Sequence, residues 1–75
     1  MTLAYIVAEM GSKTYVYDSR KGEILNQDST DKRKREILME YLTTEQIQTE
    51  QIISIQEYVL PKGRSQIICW FKDTK

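Results

Sequence analysis

Four consecutive cations, Lys32-Arg33-Lys34-Arg35, stand at the start of an apolar helical pattern. Lysine and arginine beside the free backbone N–H groups of a helix start form a candidate anion site. Its ligand would be nucleic-acid phosphate, a nucleotide or an acidic protein surface. The arrangement also carries a cost. Cations there oppose the helix dipole by ~0.3–1 kcal/mol each before screening, and Asp28, Asp31 and Glu36 offset only part of it. A charge run is equally well the ordinary solvated turn of a helix, tied by local ion pairs.

Other chemistry-bearing residues lead nowhere specific. Gly11-Ser12-Lys13-Thr14 superficially suggests a phosphate loop, but a phosphate loop needs Gly-Lys adjacent, an earlier glycine and a following helix. Here position 6 is Ile and a strand follows. Residues 18–23 contain two acids and one glycine without the alternating oxygen ligands of a calcium loop. Cys69 lies between Ile68 and Trp70. A nucleophilic cysteine wants a cationic or histidine neighbour, and the chain has no histidine. It reads as a buried structural cysteine. With no histidine and one cysteine, neither a Cys/His zinc site nor an internal disulfide can form. Glu9, Asp18, Glu23 and Glu57 form no acid/base couple legible from spacing. No catalytic residue, metal ligand or cofactor site is therefore expected, and the chain reads as a non-enzyme.

The elements that would position these residues follow from periodicity. Residues 3–9, 14–18 and 23–26 read as three strands of a meander. Gly11-Ser12 is expected as a two-residue loop with Gly11 at positive φ, and Gly22 closes the second turn. Ser29, Thr30 or Asp31 is a candidate helix cap. Ile37, Leu38, Tyr41 and Leu42 then recur at helical spacing, so a helix is expected over residues 31–43. Asp31–Arg35 and Lys32–Glu36 are opposite-charge pairs four apart. Thr43 and Gln46 have capping-box spacing and allow a short second helix to about Glu50. Residues 52–60 and 65–72 form a last hairpin around Pro61-Lys62-Gly63. The fold class is α+β: an antiparallel sheet in the order βββαββ packed on one main amphipathic helix. At 75 residues the chain is one domain, 1–75.

Hairpin registers decide which residues share a face. A two-residue first loop opposes Ile6 to Tyr17 and Val7 to Val16. Ile6, Tyr17 and Ile24 then line one face, and Leu3, Tyr5, Val7, Val16 and Leu25 the other. A three-residue loop with a bulge at Gly63 pairs Ile55 with Cys69 and Ile53 with Phe71. That side, with Val59 and Ile67, is expected under the helix. Ile52, Tyr58, Ile68 and Trp70 fall on the reverse side.

A helix of about 13 residues is ~20 Å long and covers one sheet face. The uncovered apolar face is the expected contact surface, with Tyr58, Ile68, Trp70 and Ile52 as its residues. Small domains without disulfides or metals often self-associate. The favoured reading is a small protein-binding or regulatory domain that pairs with itself as a homodimer or with another protein. The alternative is a nucleic-acid or nucleotide binder using residues 32–35 together with a sheet aromatic such as Trp70 or Tyr58. Equal numbers of basic and acidic residues, 11 each, argue against coating nucleic acid by bulk charge. Residues 3–8 are too few to span a bilayer. No basic segment opens the chain as a secretory signal would. A cytoplasmic protein without membrane contact is expected. No stretch carries a motif specific enough to assign a family.

Overall fold

The computed structural model describes residues 2–11, 13–27 and 33–73. Strands β1 (Thr2–Met10), β2 (Thr14–Asp18) and β3 (Glu23–Gln27) precede helix α1 (Lys34–Thr44). A single 3-10 turn (Thr49–Gln51) then leads into β4 (Ile52–Val59) and β5 (Ser65–Asp73). The strands form one antiparallel sheet in the order β3-β2-β1-β5-β4. The α+β class and the βββαββ order are as expected.

Side chains alternate along the central strand β1. Ala4, Ile6 and Ala8 are buried on one side, while Leu3, Tyr5, Val7 and Glu9 face the other. α1 packs across β1 and β5 on the first side. Its Ile37, Leu38, Tyr41 and Leu42 close a core with Val16, Ile67, Cys69 and Phe71. Two strand ladders on β1, one to β2 and one to β5, join the two hairpins into a single sheet.

The first hairpin differs from the expected register. Met10 pairs with Thr14, so the loop spans three residues, 11–13, and Gly11 does not take positive φ. Val7 opposes Tyr17 and Ala8 opposes Val16. The one-residue slip exchanges faces: Val16 and Leu25 join Ile6 under the helix, while Tyr17 and Ile24 join Tyr5 and Val7 outside. The physical reason is the core pattern. This register buries two aliphatic side chains and leaves the tyrosine hydroxyls at the surface.

The last hairpin keeps its three-residue loop. The Leu60 N–H bonds to the Arg64 carbonyl at 3.1 Å, and Lys62 and Gly63 take positive φ. Ile55 pairs with Cys69 as expected. A bulge at Ile53 places Ile52, not Ile53, opposite Phe71. Ile52 therefore packs against the core, and Ile53 is exposed. Val59 is 92% exposed at the end of edge strand β4.

α1 starts at Lys34 with Arg33 as its N-cap and no side-chain cap bond. The candidate caps Ser29, Thr30 and Asp31, and the pairs Asp31–Arg35 and Lys32–Glu36, involve positions outside the described residues. The helix continues through Thr43 and Thr44 instead of restarting there. Gln46 turns left-handed (φ 57°), and Ile47 N–H bonds to Leu42 O while Gln46 N–H bonds to Thr43 O. This is a Schellman stop, with Ile47 packed on the core as its hydrophobic contact. A capping box forms two residues later, between Gln48 and Gln51, on the 3-10 turn.

Candidate binding face and the charged lock behind it

The open side of the sheet is built by parity from all five strands. β1 presents Leu3, Tyr5 and Val7, β2 presents Tyr15 and Tyr17, β3 presents Ile24, β5 presents Ile68 and Trp70, and β4 presents Tyr58. Five of the chain's seven aromatics thus face one way; only Tyr41 and Phe71 belong to the core. Tyr5 sits at the middle. Its ring centroid lies 4.8 Å from Trp70 at 49° and 5.9 Å from Tyr17 at 39°, tilted contacts typical of stabilising aromatic pairs. The Tyr5 backbone is held from both directions by Ser19: Tyr5 N–H donates to Ser19 Oγ, and Ser19 N–H to the Tyr5 carbonyl. The Tyr17 hydroxyl stays protonated to higher pH than usual, first through Tyr5 beside it and then through burial. Leu3 and Ile24 stand 60% and 65% exposed at the margin, far more than a core would leave.

At the loop end of this face, Lys13, Lys62 and Arg64 surround a cleft of about 320 Å³ with Glu9 and Tyr15. Arg64 engages the Glu9 carboxylate through Nε at 2.8 Å and through its terminal nitrogen. A second cleft of about 260 Å³, lined by Val7, Tyr15, Tyr17 and Ile24, shares Glu9 and Tyr15 with the first.

Tyr58, Ile68 and Trp70 therefore lie together on the open face, as expected, whereas Ile52 lies on the helix side. The basic run is separated from them. Arg33, Lys34 and Arg35 line a 450 Å³ cleft with Met10, Glu57 and Ser65 at the helix start, across the sheet from Trp70. Lys32 is outside the described residues. Arg35 bonds to Glu57 at 2.5 Å, both side chains being exposed. Arg33, Lys34 and Arg35 do not share one surface with the sheet aromatics. Arg33→Gln with Arg35→Gln is expected to change the urea midpoint by less than ~1 kcal/mol equivalent, since exposed ion pairs contribute little and relief of dipole repulsion acts the other way. A larger loss in equilibrium urea unfolding would mean that the Arg35–Glu57 pair holds the edge strand.

A charged cluster behind the face is absent from the sequence reading. Asp18 is fully buried under the C-terminal end of α1. Its Oδ1 accepts from Arg20 N–H and Nε at 2.9 and 3.0 Å, and its Oδ2 from Arg20 Nη2 at 2.5 Å and the Tyr41 hydroxyl at 3.1 Å. Arg20 continues to Glu45 at 3.0 Å and lies 5.2 Å over the Phe71 ring. Lys21 bonds to Glu45 at 2.5 Å. α1 has no basic residue in its last turn, so Arg20 and Lys21 supply the positive charge that its C-terminus favours. Burial alone would raise the Asp18 pKa, but the bonds and charge of Arg20 with the Tyr41 hydroxyl bring it below its usual value. The only sequence signal was an acid two residues before an arginine in a turn. Tyr41, 23 residues away, had no visible link to it. Cys69 is buried, and burial pushes its thiol pKa up.

Comparison with known protein families, with curated proteins and with solved structures finds no match. No helix among the described residues is long and apolar enough to cross a membrane.

Proposed function

We propose that the protein is a small non-catalytic binding domain whose contact surface is the open face of its sheet. The observation that carries this reading is the aromatic cluster of Tyr5, Tyr17 and Trp70, flanked by exposed Leu3 and Ile24 on the side opposite α1. Covering apolar surface gains ~25 cal/mol per Å² before ordering costs, and large aromatics are common interface anchors. Two groups with catalytic potential are committed elsewhere. Both Asp18 oxygens are engaged, and Cys69 is sealed as a neutral thiol. Flat protein surfaces, including a second copy of this chain, and unstacked nucleobases are the two kinds of occupant such rings suit.

Anilinonaphthalene sulfonate, a reporter of accessible apolar surface, tests this reading. The native protein is expected to enhance its emission. The paired substitution Leu3→Ser and Ile24→Ser should reduce that enhancement with a urea midpoint within ~1 kcal/mol of the parent. No enhancement, or a double variant that loses several kcal/mol, would make the face structural and remove it as a contact surface.

A further inference from the structure

We propose that the occupant of the open face is a single-stranded nucleic acid, an inference that rests on that face being the contact surface. The chain is neutral overall, but its charge is divided between the two sides of the sheet. Among the described residues, the open side and its loops carry four cations, Lys13, Lys62, Arg64 and Lys72, against one acid, Glu9. Glu9 and Arg64 pair with each other, which leaves Lys13, Lys62 and Lys72 as the net positive charge of this side. The other five cations and eight acids belong to the helix side and its connections. Zero net charge thus hides a positive aromatic face and a negative back.

This division selects the partner. Two copies docked through their open faces would bring two positive rims together, which opposes pairing. A polyanion meets attraction at both ends of the face. The cations also have a useful placement. Lys72 is paired with Leu3 at one end of β1, and Lys13, Lys62 and Arg64 cluster beyond its other end. The strand between them is about 30 Å long at ~3.3 Å per residue, and Trp70, Tyr5, Tyr17 and Tyr15 lie along it. The cation cleft adjoins the aromatic cleft through Tyr15. Cations that track a backbone, with aromatic rings between them for the bases, are what sequence-tolerant single-strand binding requires. A duplex keeps its bases stacked inside and cannot reach the rings.

The test is anisotropy of a labelled oligothymidylate of about twelve nucleotides, read with Trp70 emission, on the full chain at low salt. Binding should quench Trp70. Log affinity should fall against log salt with a slope of about −2 to −3, from about −0.7 per phosphate contacted by three or four cations. Lys13→Gln with Lys62→Gln should weaken binding and flatten that slope. Tyr15→Leu should weaken binding about fivefold or more through lost stacking while keeping the slope. Arg33→Gln with Arg35→Gln, on the opposite side, should change neither. A duplex of the same length should compete poorly. Two results overturn the inference: no quenching at low salt, or binding that is abolished by the Arg33 and Arg35 substitutions and untouched by those at Lys13 and Lys62. If the oligonucleotide fails but sedimentation equilibrium shows a dimer that dissociates in the Leu3→Ser, Ile24→Ser variant, the occupant is a second copy. The nucleic-acid inference then falls while the contact face stands. If the dye also finds no open surface, both fall.

Discussion

Asp18→Asn is expected to destabilise the protein by about 3 kcal/mol at neutral pH. Breaking one partner of a buried ion pair typically costs ~3–5 kcal/mol. The low end applies because Arg20 remains 22% exposed and keeps Glu45. Asparagine keeps the shape but turns an amide toward the guanidinium, so donors meet donors. For a domain of this size each kcal/mol moves the melting temperature by ~4–8 °C, which makes the effect easy to measure. The pH dependence identifies the cause. A carboxylate whose folded pKa is depressed contributes its full stability above its ordinary value, 3.8. That contribution is lost as pH falls through the lower folded value. The gap between parent and Asp18→Asn in urea unfolding should therefore be widest near neutrality and narrow below about pH 4. Equal midpoints at neutral pH would mean that the cluster contributes nothing net. A gap independent of pH would assign the loss to packing, not charge.

Leu38→Ala is expected to cost ~2–5 kcal/mol. Leu38 is fully buried at the centre of the helix face, between core residues of α1 and the sheet, and its truncation leaves a cavity there. A 75-residue domain has total stability on the order of 4–11 kcal/mol at ~0.05–0.15 kcal/mol per residue. The variant should be partly unfolded at physiological temperature, with loss of far-ultraviolet helical signal on mild heating. An unchanged melting curve would place Leu38 outside the core. The contrast with Leu3→Ser and Ile24→Ser is direct: equally apolar residues on the two faces should differ by several kcal/mol, because only one face is closed by the helix.

The parts of the fold legible beforehand were those governed by local rules. The 3.6-residue spacing of Ile37, Leu38, Tyr41 and Leu42 identified the helix and its buried stripe. The turns at Gly22 and Gly63 were legible because both need a residue tolerant of positive φ. Tyr58, Ile68 and Trp70 could be assigned to one face because period-two alternation survives an uncertain register. The first loop is not legible, because Gly11-Ser12 suits a two-residue turn and only the competition to bury Val16 over Tyr17 decides against it. The face of Ile52 is not legible, because a bulge is one extra residue with no sequence mark of its own. The helix stop at Gln46 is not legible, because glutamine is an unusual left-handed residue and Thr43 to Gln46 imitates a cap.

By itself, then, the sequence determined the number and type of elements, the helix core stripe, the neutral overall charge and the presence of more apolar strand surface than one helix can cover. These depend on overall composition or on residue types a few positions apart. The pairing of β1 with both β2 and β5, the gathering of Tyr5, Tyr17 and Trp70, the burial of Asp18 against Tyr41 and the division of charge between two sides were decided only by the tertiary structure. Each is a contact between residues far apart in the chain. Its free energy is gained only when the strands close, so no local pattern encodes it.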